Sequence, residues 1–359
     1  MKRNSNIQLI QASRGAAVFL VMLFHASQTG QRYFGYDFLG VSGMGRSGAY
    51  TFFFVLTGYL MVAIYRRDWG KPQAFGTFLL KRFSRIYPLY WLVTAAVIPV
   101  YFMIPSFGLG FEREPSAIVR SLLLWPQSHG PILGVAWSLS YIVLFYAVYS
   151  LAFLIKENVL VAIYSSWMTI IALHMAGLID IKENELLQFL FAPYHLQFVI
   201  GMMVAVLVRR FDIKRSAWWI AGGAAAYVAL WVMRHALGTI PLGDFAHTAG
   251  SAMLLIGIAA RRDKERRLLK PLAAMGDASY SILLVSLPAL SIAFKLARAA
   301  HAPETIGAPW AIAVCLSAAL GSCLLFYRWV ETPLNRFIRE RMIDKAPAAR
   351  PLLDRPYSR

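Results

Sequence analysis

Charge is scarce in this chain. Of 359 residues only 15% are charged, against about a quarter in soluble domains, while 58% are hydrophobic and the mean hydropathy is +0.54. Acidic residues are the scarcest, 18 against 36 Lys plus Arg, for a formal net charge of +18. Such a balance excludes a soluble globular domain. It also changes what the positive charge means: nucleic acid in a soluble protein, loops facing anionic lipid in an apolar one. Cysteine is nearly absent. Cys315 and Cys323 lie eight positions apart in one apolar run, roughly 12 Å along a helix, too far for a mutual disulfide. No His, Cys or acidic pair has metal-ligand spacing on one helix, so no metal is expected. No internal repeat is visible, and the inverted-repeat pattern of many transporters is missing with it.

What the chain has instead is a series of long apolar runs. Ten segments approach the length needed to cross about 30 Å of hydrocarbon: 7–28, 47–65, 86–104, 135–155, 159–179, 187–208, 216–235, 245–260, 278–299 and 309–330. The expected fold is therefore all-α, a polytopic membrane protein of about ten helices. The first segment carries Arg14 and His25 and is followed by no small-residue cleavage site, so it reads as a retained span. Placing the N-terminus inside puts 27 of the 36 basic residues in cytoplasmic segments and eight in outer loops, which predicts both termini in the cytoplasm. Residues 1–340 read as the membrane domain. Residues 341–359 read as a basic, disordered cytoplasmic tail lying on anionic lipid. The longest outer loop, 105–134, contains the apolar stretch Ser121–Trp125 and is expected to fold back onto the bundle.

Ionisable residues inside a span are costly and point to function. Arg14 and His25 are eleven residues apart. At about 100° per residue both emerge from one helix face, some 16 Å apart along the axis. Read structurally, the Arg snorkels and the His hydrogen-bonds; read functionally, they form a catalytic pair. At the third span stands Lys81-Arg82-Phe-Ser-Arg85-Ile-Tyr-Pro-Leu-Tyr-Trp91. Arg82 and Arg85 share a helix face, and two guanidinium forks make a phosphate clamp as readily as a positive-inside anchor. Tyr87, Tyr90 and Trp91 read as an interfacial aromatic belt. Thr57 in the second span, and Trp137, Ser138, Ser140 and Tyr141 entering the fourth, are polar or amphipathic for membrane positions. Their hydroxyls suit either a site or bonds between helices.

Taken in order, Arg-x10-His, FFFVLTGYLM, KRFSRIYPLYW, GVAWSLSY, GDASYSI and YRWVETPLNR resemble the integral-membrane acyltransferase 3 family, nearest to its exopolysaccharide and O-antigen O-acetyltransferases. The resemblance runs from about residue 7 to 340. It implies an enzyme of the bacterial inner membrane that takes acetyl-CoA or another acyl-CoA from the cytoplasm. The group passes to a hydroxyl of a glycan or lipid-linked glycan, with polysaccharide-export machinery as a possible partner beside membrane lipid. It implies His25 as base or acyl relay, with Arg14 its partner. Arg82, Arg85 and Lys81 would bind the donor's phosphates. Trp137, Ser138, Ser140, Tyr141, Thr57 and Gln197 would orient the histidine or steady the oxyanion.

Four positions depart from the family's pattern. Thr51, Ile142 and Gln197 stand where relatives often carry an acid, and Ser286 where a histidine is usual. The interior is then expected to lack carboxylates, and His25 to work in a neutral network. Two readings remain: an active O-acyltransferase on Arg14, His25, Arg82 and Arg85, or an impaired member acting as a glycan or lipid translocator or an accessory export subunit.

Overall fold

In a computed structural model that describes residues 4–42, 48–181, 184–233, 241–261 and 267–343, the chain is helical, with no strand among the described residues. The helices relevant below are α1 (Asn4–Phe34), α2 (Tyr50–Tyr65), α3 (Gln73–Met103), α4 (Pro115–Leu122), α5 (Trp137–Ser150), α6 (Glu157–Met175), α7 (Glu185–Leu190), α8 (Tyr194–Arg210), α9 (Ser216–Val232), α10 (Pro241–Ala260), α11 (Lys270–Asp277), α12 (Ser279–Ala299), α13 (Ala302–Ile306), α14 (Ala308–Phe326) and α15 (Thr332–Ile338). Each of the ten apolar segments overlaps helical structure, the sixth being divided between α7 and α8. Among the described residues seven stretches are long and apolar enough to cross a membrane: Ile7–Phe34, Gln73–Met103, Gly134–Phe153, Glu157–Met175, Glu185–Arg210, Ser279–Ala299 and Ala308–Met342. Helix α2, at 16 residues, is about 24 Å long, and α9 is also short of the full hydrocarbon thickness. Of the expected tail, residues 344–359 lie outside the described residues, as do Arg46, Lys182, Arg234 and His235.

The chain divides into two compact units, Met1–Val62 with Gln197–Arg328, and Ala63–Leu196 with Trp329–Arg359. In the first, α1 is the central element. Its residues Val18, Met22 and Ala26, spaced four apart, pack on Ile282, Leu290 and Phe294 of α12 and on Ile312, Cys315 and Cys323 of α14. Another α1 face, through Ala17, joins Phe52, Val55 and Leu56 of α2 with Val204 and Leu255. Both cysteines are buried and free.

Several helix crossings in this unit depend on glycine, two of them reciprocally. A methyl group on Gly15 would overlap the Leu272 carbonyl of α11, and one on Gly276 would overlap the Gln11 carbonyl of α1. Gly58 of α2 and Gly201 of α8 form the same reciprocal arrangement against the carbonyls of Phe198 and Val55. Lipid offers no hydrophobic drive between helices, so backbone contact through small residues supplies the packing. The glycine of the TGY motif is thus a contact point.

In the second unit α3 packs on α5 around Phe78, Phe145, Tyr149 and Phe153, all fully buried. Helix α3 begins at Gln73, well before the segment expected from residue 86, because Lys81, Arg82 and Arg85 depress hydropathy without breaking the helix. The loop after α3 turns back along it, as expected. Helix α4 ends beside the middle of α3, where the Tyr87, Tyr90 and Trp91 side chains donate hydrogen bonds to the carbonyls of Leu123, Ser121 and Leu122. These rings do not simply form a belt against headgroups. They bond carbonyls at and just after the end of a short helix, where intrahelical donors run out.

Candidate functional site

The expected site residues fall in both units. Arg14, His25, Thr57 and Gln197 belong to the first; Lys81, Arg82, Arg85, Trp137, Ser138, Ser140 and Tyr141 belong to the second.

In the first unit, Arg14 and His25 lie on one uninterrupted helix, as the spacing requires. The Arg14 fork is fixed at both ends. One terminal nitrogen donates to Gln11 Oε1 at 2.8 Å, one turn earlier, and the other to Ser279 Oγ at 2.6 Å, at the start of α12. Ser279 is the first serine of GDASYSI, so that motif has a physical role: it holds the intramembrane arginine. His25 lies half-buried, its ring hydrogen-bonded to Gln28 one turn on and edge-on to Phe24 at 5.4 Å. Thr57 donates to the Phe53 carbonyl of its own helix. Gln197 is buried, with its amide oxygen meeting no donor among the described residues. Thr51 is the centre of a neutral cluster: its hydroxyl bonds Gly48 O at 2.7 Å, Ser251 Oγ at 3.0 Å and Tyr227 Oη at 3.1 Å. Ser286 is buried on α12.

In the second unit the two arginines of KRFSR have different surroundings. The Arg82 guanidinium lies 5.0 Å from the Tyr65 ring, 5.6 Å from Tyr146 and 5.8 Å from Phe78. Its Nε is buried with no hydrogen-bond partner among the described residues. A π-lined cage steadies the charge but leaves the donor unmet. Arg85 instead pairs with Glu331, Nη2 to Oε1 at 3.1 Å. Glu331 is fully buried and also accepts from Asn335 Nδ2 at 3.3 Å. The expectation of a carboxylate-free interior is therefore corrected. The helical path of the last apolar stretch continues past residue 330 through a π turn at Tyr327–Glu331, and this turn carries the acid of YRWVETPLNR inward. The signal was present in the sequence as a single acid within an otherwise basic and aromatic motif.

Trp137, Ser140 and Tyr141 line a cavity of about 280 Å³ together with the loop after α4 and with α7. Ser138 points its hydrogen bond to the Val135 carbonyl at 3.2 Å. Tyr141 is packed edge-on to Tyr194 and His195, with ring centroids at 4.8 and 5.5 Å. His195 bonds the Phe189 carbonyl through Nε2, and His174 bonds the Ile179 carbonyl through Nδ1; both do structural work. Among the described residues no three His, Cys, Asp or Glu side chains gather as a metal site would require.

With this order of motifs on helices, residues 8–328 match the acyltransferase domain of the acyltransferase 3 family. The chain belongs to that family. It is an integral membrane protein and an O-acyltransferase. It is also 28% identical over 344 residues to the exopolysaccharide production protein ExoZ of Rhizobium meliloti (strain 1021), covering 92% of this chain and 99% of that one. No solved structure matches the chain.

Proposed function

We propose that this acyltransferase moves an acetyl or similar short acyl group from cytoplasmic acyl-CoA to a hydroxyl of an exopolysaccharide, as the similarity to the exopolysaccharide production protein suggests. It sits in the bacterial inner membrane with ten spans and both termini in the cytoplasm, a reading supported by the distribution of basic residues. The donor's phosphates bind at Arg82, with Lys81 and Arg85 beside it. His25, as neutral imidazole, takes the acceptor's proton while the hydroxyl attacks the thioester carbonyl. The carbon–sulfur bond then breaks, and coenzyme A leaves as its thiol. Arg14, held rigid by Gln11 and Ser279, supplies fixed positive charge on the same helix face as His25.

The observation that carries this reading is the caged Arg82. A buried guanidinium nitrogen without a partner is costly in the resting protein and gains a strong, charge-assisted bond when a phosphate arrives. Acetyl-CoA binding to the purified protein in detergent tests it. Arg82→Ala is expected to weaken binding at least tenfold, on the scale of a lost charged hydrogen bond. Unchanged binding would remove the donor role from this cluster.

A further inference from the structure

The cavity beside α5 has a lining that is specific in type. Four aromatic side chains contribute to it, Trp125, Trp137, Tyr141 and Phe189, and between them stand Gln188, Gln127, Ser140 and Glu185. Among the described residues no Lys, Arg or His lines it. A phosphate or other anion meets a carboxylate in the lining, and the nearby Arg120 is already engaged by that carboxylate. An acyl chain would cover the Gln127 and Gln188 amides and the Glu185 carboxylate while offering them no hydrogen bond in place of water, which is unfavourable. A neutral sugar suits both halves of the lining. Its C–H face covers an aromatic ring, and its ring of hydroxyls can donate to and accept from amide and carboxylate groups. The volume, about 280 Å³, lies at the lower end for ligand pockets and fits a single sugar unit of a longer chain.

The wall formed by the loop is built, not incidental. Gln127 uses its amide N–H groups on Ser121 Oγ at 3.0 Å and Gly130 O at 3.1 Å, leaving its amide oxygen to accept. Ser121 Oγ also takes the N–H of Ile132 at 3.1 Å. Arg120 of α4 pairs with Glu185 of α7 at 3.8 Å, tying the two sides of the cavity together. The loop is fastened to α3 at Tyr87–Trp91, about 24 Å of helix away from the α3 end at Met103 and only about 9 Å from Arg85 to Trp91.

We infer that this cavity is the acceptor subsite, holding one neutral sugar residue of the glycan at the level of α3 just beyond the donor arginines. The inference rests on the acyl-transfer reading above and adds to it the place and class of the acceptor. Trp125 and Gln188 are specificity residues here. Trp125 is more than half exposed and can be removed without disturbing the core.

The test is kinetic. Thiol release from acetyl-CoA is followed in the full-length protein against concentration of an exopolysaccharide acceptor, in wild type, Trp125→Ala and Gln188→Ala. Both variants are expected to raise the acceptor KM roughly tenfold, the effect of removing one anchoring contact, with the acetyl-CoA KM unmoved. An unmoved acceptor KM overturns the subsite, and a raised acetyl-CoA KM overturns it by giving the cavity to the donor. A second measurement needs no turnover: saturation-transfer NMR of methyl glucoside and methyl galactoside with the protein in nanodiscs. Signals that vanish in Gln188→Ala support the subsite even where wild type releases no thiol, in which case only the acyl-transfer reading fails. Signals absent from wild type, or equal in the variant, overturn the subsite.

Discussion

Arg85 on α3 and Glu331, at the junction between α14 and α15, form an ion pair at 3.1 Å in which the carboxylate is fully buried and the guanidinium is not. The asymmetry decides what each residue costs to lose. Without Glu331, Arg85 can turn toward solvent; without Arg85, the carboxylate stays buried and loses its cationic partner. Breaking a fully buried pair costs about 3–5 kcal/mol; with Arg85 partly solvated and Asn335 still bonding the carboxylate, Arg85→Ala is expected below that range, about 2–3 kcal/mol. Glu331→Gln should cost less, about 1–2 kcal/mol, because the amide keeps a bond to Asn335 and the remaining charge is hydrated. Thermal unfolding of the two variants in detergent checks the order. Equal losses would mean that the carboxylate is not buried as described.

The glycine crossings predict a contrast between two similar substitutions. Gly58→Ala places a methyl group on the Phe198 carbonyl, whereas Gly321→Ala meets nothing within 4 Å. Overpacking of this kind costs about 1–3 kcal/mol or more, since backbone cannot move aside as a side chain can. Gly321→Ala should be neutral or stabilising by up to about 1 kcal/mol, through helix propensity and a less flexible unfolded chain. Melting temperatures of the two variants measured side by side give the answer.

Acid sensitivity has one identifiable source outside the spans. Burial pushes the Asp37 carboxyl up, but the Ser42 N–H and hydroxyl and the Ser27 hydroxyl, at 3.0 Å from Oδ1, hold it below the ordinary carboxylate range. A carboxyl lowered in the folded state stabilises it above its unfolded pKa of about 4, and that contribution is lost as pH falls through the lower folded value. Asp37→Asn should therefore be less stable than wild type at pH 7 and converge with it at acid pH. A constant gap between their stability curves from pH 7 to pH 3 would contradict this.

Much of the fold was legible because apolar length is a local signal. All ten segments overlap helical structure, although the sixth is broken between α7 and α8, and the Arg14–His25 spacing translated directly into one continuous helix. Nonlocal partners were not legible. Tyr87, Tyr90 and Trp91 look like a headgroup belt until α4 arrives some thirty residues later to be capped by them. Ser279 belongs to a recognisable motif, but nothing local to it indicates Arg14, 265 residues away. Thr51 reads as a lost acid, and its hydroxyl cluster with Ser251 and Tyr227 is assembled from helices distant in sequence. Glu331 was missed because hydropathy ends the last span just before it, whereas the helical hydrogen bonding runs on through a π turn.

The central claim is that His25 performs chemistry in an active enzyme, without a carboxylate at Thr51, Ile142 or Gln197. Release of free thiol from acetyl-CoA by the purified protein, with an exopolysaccharide acceptor, addresses it most directly. Wild type is expected to release thiol in proportion to acceptor. His25→Ala should lose at least a hundredfold of that rate, the usual contribution of a positioned general base, while still binding acetyl-CoA through Arg82. Equal rates in wild type and His25→Ala would contradict the account, as would a wild type that binds acetyl-CoA, releases no thiol and gains activity in Ile142→Glu.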